Sequence, residues 1–212
     1  MEAQLLATLA KTGGAPIEVS FDEEAHKYTT ADGVIIPSVT TLMKPLTEKA
    51  YRAIDREVLR AAAELGTAVH ECTEFFDCGD LDEDSVLPEW TPYLEAYQKF
   101  LADYKPEHIA VEQKLACESW SGTIDRVSTI GNDLWIIDLK TTSSIHAFAG
   151  IQLAGYALLW HIRHPEETRK INRAVLQLRD DGTYKFKAFT SDDDFTCFLS
   201  LLNIHKWGNN HV

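Results

Sequence analysis

The sequence predicts a mixed α/β fold on two observations: short apolar runs bounded by Asp-Gly and Gly-Asn turns, and helical stretches rich in Ala, Leu, Glu and Arg set among them. Strand character begins in IEVSF and continues through HKYTTADGVIIP, with Asp32-Gly33 as the turn of an opening β-hairpin, because glycine tolerates the positive φ of such turns. Ser38 then starts SVTTLM, expected to be a short helix or turn ending near Pro45, since proline disfavours helix in the residue before it. From about Thr47 to Phe76 the composition predicts one helix, with Gly66 as its weak point. The acidic loop DCGDLDEDSVLPEW separates it from a second helix that begins near Pro92, where a missing N–H costs nothing.

Three strands follow in HIAVEQKLA, SGTIDRVSTI and LWIIDLKTT, the last two joined tightly through Gly131-Asn132-Asp133, and these form the expected centre of the sheet. The apolar stretch HAFAGIQLAGYALLWHIRH is a helix, and NRAVLQLRD and TYKFKAFT are strands around an Asp181-Gly182 turn. Ser191 caps a closing helix whose first turn carries Asp192, Asp193 and Asp194, acids that suit the positive end of its dipole. One domain over residues 1–212 is expected, with its core at about 47–190.

With 212 residues, 45% of them hydrophobic, and a mean hydropathy of -0.20, the chain is long enough for a substantial core. It has no apolar run of bilayer length, and its opening MEAQLLATLAKTGGAP lacks the basic start of an export signal, so a cytoplasmic protein with no membrane partner is expected. Cys72, Cys78, Cys117 and Cys197 form no CxxC pair, which argues for four reduced thiols over a zinc knuckle. Twenty basic residues against 33 acidic ones give a net charge of -13, which excludes a protein that coats nucleic acid by charge alone. Contact with a phosphate backbone must be local, helped by divalent cations that invert the sign of charge around carboxylates.

The chemistry concentrates in the central strands. In LWIIDLKTT, period-two geometry puts Asp138 and Lys140 on one face and Leu139 on the other. Asp125, in SGTIDRV on the preceding strand, is placed by a short hairpin beside Asp138, and a hard cation such as magnesium relieves the repulsion of two facing carboxylates. The competing reading of the Asp138–Lys140 pair is an ordinary ion pair at a strand end. Upstream, GTAVHECTE sets His70 and Glu74 four apart on one helical face, beside a glycine that would permit close backbone approach. Gln152 and Tyr156 share a face of the apolar helix, either reaching the site or sitting at a core boundary.

Taken in order, GTAVH, GTIDR, IIDLK and QLAGY resemble the motifs of the PD-(D/E)XK nuclease superfamily, in particular its RecB-like, phage-type exonuclease branch. The resemblance covers roughly residues 17 to 160, and includes the opening HKYTTADGVIIPSVTTLM. It implies a restriction-endonuclease-like core, a central mixed sheet flanked by helices in the order αβββαβ, with an N-terminal hairpin and a C-terminal helix. It further implies that His70, Asp125, Asp138 and the Leu139 carbonyl bind metal, that Lys140 positions or activates the attacking water, and that Glu112 in AVEQKL is a catalytic acid in contact with a second metal or its water. Gln152 and Tyr156 would support the lysine and the bound strand. The expected cofactor is Mg2+, with Mn2+ as a substitute. No iron-sulfur cluster is expected, because the cysteine spacing does not match the relatives that carry one.

The function implied is a metal-dependent DNA exonuclease, encoded by a phage and acting in the cytoplasm of its bacterial host in recombination, repair or genome processing. Its expected partners are linear DNA, single-stranded DNA among it, and a phage recombination or single-strand-binding protein. A structure-specific endonuclease is the near alternative. A non-catalytic acidic protein, a DNA mimic or inhibitor, is the distant one, motivated by the charge. Lys49, Arg52, Arg56 and Arg60 lie at near four-residue spacing in the expected first helix, a phosphate track or else a solvated face balanced by Glu48, Glu57 and Glu64. Trp120 and Tyr156 are candidates for stacking on unpaired bases, with a core role as the alternative for Trp120.

Overall fold

The computed structural model describes residues 3–23 and 25–211. A first helix, α1 (Ala3–Ala10), precedes three short strands, β1 (Ser20–Asp22), β2 (Lys27–Thr29) and β3 (Ile35–Ile36), which pair antiparallel in that order. The expected hairpin is therefore a small three-stranded sheet. Asp32-Gly33 lies in its second turn, where Gly33 has φ +87°. The sequence reading left α1 unassigned, because a short apolar run without caps resembles a strand as much as a helix.

Two expectations are corrected in the next segment. Helix α2 (Val39–Tyr51) runs through Pro45 instead of ending there, held by burial of Val39, Leu42 and Met43. Ser38 caps it by accepting from the Thr41 N–H at 3.0 Å. The single helix expected from Thr47 to Phe76 is in fact the end of α2 and a separate α3 (Arg56–Cys78). The break is chemical: the Asp55 carboxylate accepts from the Glu57 N–H at 2.7 Å, starting a new helix. Gly79 at φ +74° then closes α3.

Helix α4 (Thr91–Tyr104) leads into β4 (Glu107–Ala116), β5 (Ser121–Ile130) and β6 (Asp133–Lys140), which pair antiparallel one with the next. Helix α5 (Ala149–Arg163) is the crossover to β7 (Ile171–Leu178), which pairs parallel with β6, and β8 (Tyr184–Ala188) and α6 (Asp193–His211) complete the chain. The five-stranded sheet has the order β4-β5-β6-β7-β8, so β6 is its centre and β4 an edge. Its mixed pairing, flanked by helices on both faces, is the restriction-endonuclease-like α/β arrangement.

One face of the sheet is covered by α5, with α1, α2 and α6 packed around that helix, and its core includes Ile124, Ile136, Leu153, Trp120 and Phe198. Helix α5 is buried on nearly every side, which is why its sequence is apolar throughout. The opposite face carries α3 and α4 over Val69, Tyr97, Phe100, Ile137 and Leu139. No described helix is long and apolar enough to cross a membrane.

Candidate functional site

The site forms where β5 and β6 part. Their ladder ends at the pair Arg126↔Ile137, while β6 continues along β7 through Asp138↔Val175 to Lys140↔Gln177. Beyond the last pair, the backbone groups of Leu139 have no strand partner on the β5 side. The Asp125 carboxylate accepts the Leu139 N–H at 2.7 Å, and the Leu139 carbonyl lies 3.1 Å from His70 Nε2. A polar opening in the sheet is thus satisfied by side chains, as buried backbone groups require.

Around this opening, ligand atoms of His70, Glu112 and Asp125 lie within 4.8 Å of one another. His70 comes from α3, with Nδ1 at 3.6 Å from Glu112 Oε1 and 3.8 Å from Asp125 Oδ2. Glu112 reaches the group from β4 with φ +45°, a left-handed conformation in the midst of a strand. Such a conformation costs about 1–3 kcal/mol in a residue with a side chain and collects at functional sites. It takes Glu112 out of the ladder between Val111↔Arg126 and Gln113↔Ile124.

Asp138 stands next to this group and is almost fully buried. Lys140 Nζ donates to its Oδ1 at 3.0 Å and lies 2.9 Å from Oδ2, and Gln152 Nε2 donates to Oδ1 at 3.0 Å. The ammonium thus contacts both oxygens of the carboxylate. One imidazole and two carboxylates converging in a partly buried site, with the buried Asp138 beside them, fit the oxygen and nitrogen donor chemistry of a divalent cation.

The electrostatics express the same crowding. Burial disfavours charge on His70, yet Asp125 and Glu112 outweigh it and lift the imidazole to about 9. Burial pushes Asp138 up to about 6 against the pull of Lys140, with Asp125 adding to the rise. Burial likewise raises Asp125, opposed by His70. These acids resist ionising together without a cation among them.

Behind the donors lies a residue the sequence reading passed over. Arg126 is buried at 1% exposure, and its guanidinium donates to Asp77 at 2.6 Å, Glu112 at 3.2 Å, the Asp125 carbonyl at 2.7 Å and Thr73 at 3.1 Å. Thr73 in turn donates to the His70 carbonyl at 2.9 Å. One cation therefore touches the supports of all three donors. Burial alone would raise Asp77, but His108, Arg126 and Tyr97 hold it below the usual carboxylate range. The signal was present as a charged residue amid the apolar run of β5.

A cleft of about 530 Å³ opens over the donors. Helix α3 forms one wall, the small sheet and the N-terminus of α2 the other, and His70, Glu112, Asp125, Leu139, Lys140 and Tyr156 lie at its base. Glu74 lines it as expected from its spacing with His70. Gly66 also lines it, but an added Cβ there would meet only Thr141 Oγ1 at 3.6 Å, so no protein backbone presses on that glycine. The Tyr156 hydroxyl accepts from Gln152 at 3.1 Å.

Other candidates fall elsewhere. Arg52 and Arg56 are exposed and do not line the cleft. Lys49 is on α2 and Arg56 on α3, so the expected basic stripe is interrupted by the helix break, and Arg60 pairs with Glu64 at 3.7 Å. Trp120 is fully buried, donates to the Gly155 carbonyl at 3.3 Å and packs on Phe198, which removes it as a surface for bases. All four cysteines are free thiols.

No curated protein matches the chain. A family model does match, over residues 85–203, which is more than half of the sequence and takes in β4 to β7 with Glu112, Asp125, Asp138, Lys140 and Gln152. Strand order, the donors at the parting of β5 and β6, and that match agree: the chain belongs to the PD-(D/E)XK nuclease superfamily.

Proposed function

We propose that this protein is a metal-dependent DNA exonuclease of the RecB-like branch. The observation that carries the reading is the gathering of His70, Glu112 and Asp125 within 4.8 Å, with Asp138 and Lys140 paired at 2.9 Å alongside. His70, Glu112 and Asp125 would hold a divalent cation, Mg2+ by the hardness of the donors, with Asp138 and the Leu139 carbonyl beside them. When bound, that cation supplies positive charge to the scissile phosphate and makes water more acidic.

The remaining work falls to the chain's own groups. Lys140 offers an ammonium at the base of the cleft, placed to hold the attacking water and offset charge that grows on the phosphate. Asp138 fixes Lys140, and Gln152 fixes Asp138 while donating to Tyr156. Lys140 and Asp138 thus form a pre-set pair, so little reorganisation accompanies reaction.

The exonuclease assignment rests on the order of GTAVH, GTIDR, IIDLK and QLAGY, and implies a role in phage recombination, repair or genome processing. End-labelled linear and closed circular DNA, incubated with magnesium, manganese or chelator, tests it. Linear DNA should be degraded from its ends only with metal, and Asp138→Asn should abolish this. Nicking of closed circles at a comparable rate would replace the exonuclease with an endonuclease. Indifference to chelator would remove the metal-dependent reading altogether.

A further inference from the structure

Two features of the cleft are not used by the proposed chemistry, its charge and its aromatic wall. Among the described lining residues, the carboxylates are Glu23, Glu71, Glu74, Glu112 and Asp125, whereas Lys114 and Lys140 are the ammonium groups. A cleft with that balance gains little from phosphate contacts, which elsewhere dominate affinity for duplex DNA. Recognition of a strand must draw on another source.

That source lies on β1 and just before β2. Phe21, partly exposed, and His26, exposed with φ +53°, both line the cleft and meet edge to face at 5.2 Å between ring centroids. Tyr28 backs Phe21 at 4.5 Å, and its hydroxyl bonds Thr123 Oγ1 at 2.6 Å. Since Thr123 is two residues from Asp125 on β5, the rings are tied to the strand that carries a metal donor. Lys114 Nζ sits 5.3 Å from the Phe21 ring. The opposite wall is α3, which presents the small residues Ala62, Ala63, Gly66 and Thr67 along its N-terminal half, with His70, Glu71 and Glu74 following them. A backbone can run close along it.

We propose that Phe21 and His26 form a stacking platform for a base of an unpaired DNA strand, whose sugar-phosphate chain passes along α3 to the donor group. A paired base keeps its faces within the helix stack and cannot use such a platform, so the substrate class is single-stranded DNA or a frayed end. The proposal rests on the nuclease reading for the location of the chemistry, but predicts binding by itself.

The test is fluorescence anisotropy of a labelled oligothymidylate and of a blunt duplex of equal length, with calcium in place of magnesium. Phe21→Ala and His26→Ala should each weaken single-strand binding by roughly five- to a hundredfold, while Phe21→Trp retains it and weak duplex binding does not change. The salt dependence of single-strand affinity should be shallow, with a log–log slope near about -1.4 for two lysine contacts.

Wild-type affinity in both alanine variants overturns the platform, as does a duplex bound as tightly as the single strand. If Phe21→Ala loses its fold by circular dichroism, His26→Ala, an exposed change, decides alone. A wild-type protein that binds the strand through these rings yet never cleaves DNA with any divalent metal overturns the nuclease reading and leaves the platform standing. Cleavage with unaltered binding in both variants does the reverse.

Discussion

Arg126 donates to Glu112 at 3.2 Å from a position buried at 1% exposure, and with the same guanidinium it holds the Asp125 carbonyl at 2.7 Å. The donor group is therefore braced from behind by a fixed positive charge. Replacing Arg126 by Gln removes the guanidinium that Asp77 and Glu112 share, leaving Asp77 to His108 and Tyr97 and Glu112 to His70. The expected loss of folding stability is about 3–5 kcal/mol, as for breaking one side of a buried pair. Urea denaturation measures it, and calorimetry with manganese should show weaker binding in the folded fraction. Asp77→Asn, which keeps Arg126 against Glu112, should lose stability with a smaller loss of manganese affinity.

Lys140→Ala should lower cleavage by about 10²–10³-fold, the usual effect of removing one preorganised charge-stabilising group. Because its partner Asp138 is almost fully buried, the melting temperature should fall as well, and the rate is compared at a temperature where both proteins are folded. Gln152→Ala removes the amide that orients Asp138, and a drop of about 10–100-fold in activity or metal affinity is expected, as for other groups that orient a metal donor. Steady-state rates on labelled linear DNA, beside thermal melts, check both.

The His70 imidazole, lifted to about 9, is protonated at neutral pH in the metal-free protein. A cation bound to it must displace that proton, so divalent affinity should rise as pH goes from 7 toward 9 and each binding event should release protons. Calorimetry in buffers of different ionisation enthalpy measures the release. An NMR titration should show the imidazole losing its proton near 9. Because the folded value lies above the unfolded 6.5, the contribution of His70 to apo-protein stability is complete below pH 6.5 and is lost as pH rises through about 9.

Gly122 opens the GTIDR segment for a steric reason. A Cβ built there would lie 2.8 Å from the Tyr156 ring and 3.4 Å from Val39. Gly122→Ala should cost about 1–3 kcal/mol by overpacking and displace Tyr156 from Gln152. Thermal unfolding gives the first effect, and slower cleavage by the folded variant the second.

Much of this was legible in the sequence because β4 to β8 and α5 are marked by apolar runs and by turns at Gly131 and Gly182, both with positive φ. The same period-two logic placed Asp138 and Lys140 on one face, while the group within 4.8 Å is His70, Glu112 and Asp125, with Glu112 where the resemblance implied Asp138. The break between α2 and α3 depended on a single cap, Asp55, among residues of good helix propensity. Pro45 was misleading, since tertiary burial of Leu42 and Met43 outweighs one missing N–H. Arg126 was overlooked for the opposite reason: its partners Asp77, Tyr97 and Thr73 come from α3 and α4, and no local pattern announces a contact across that distance. The left-handed backbone at Glu112 had no sequence signal at all, glutamate being an unusual occupant of that conformation.

The kink at Glu112 reaches beyond chemistry. Strand β4 borders the sheet, and a straight border of free amides and carbonyls invites a second polypeptide to lengthen it. With its register slipping between His108 and Ala110 and its backbone twisted at Glu112, that rim offers no regular template over its whole length. The distortion that delivers an acid to the cleft also makes that rim a poorer template for a foreign strand.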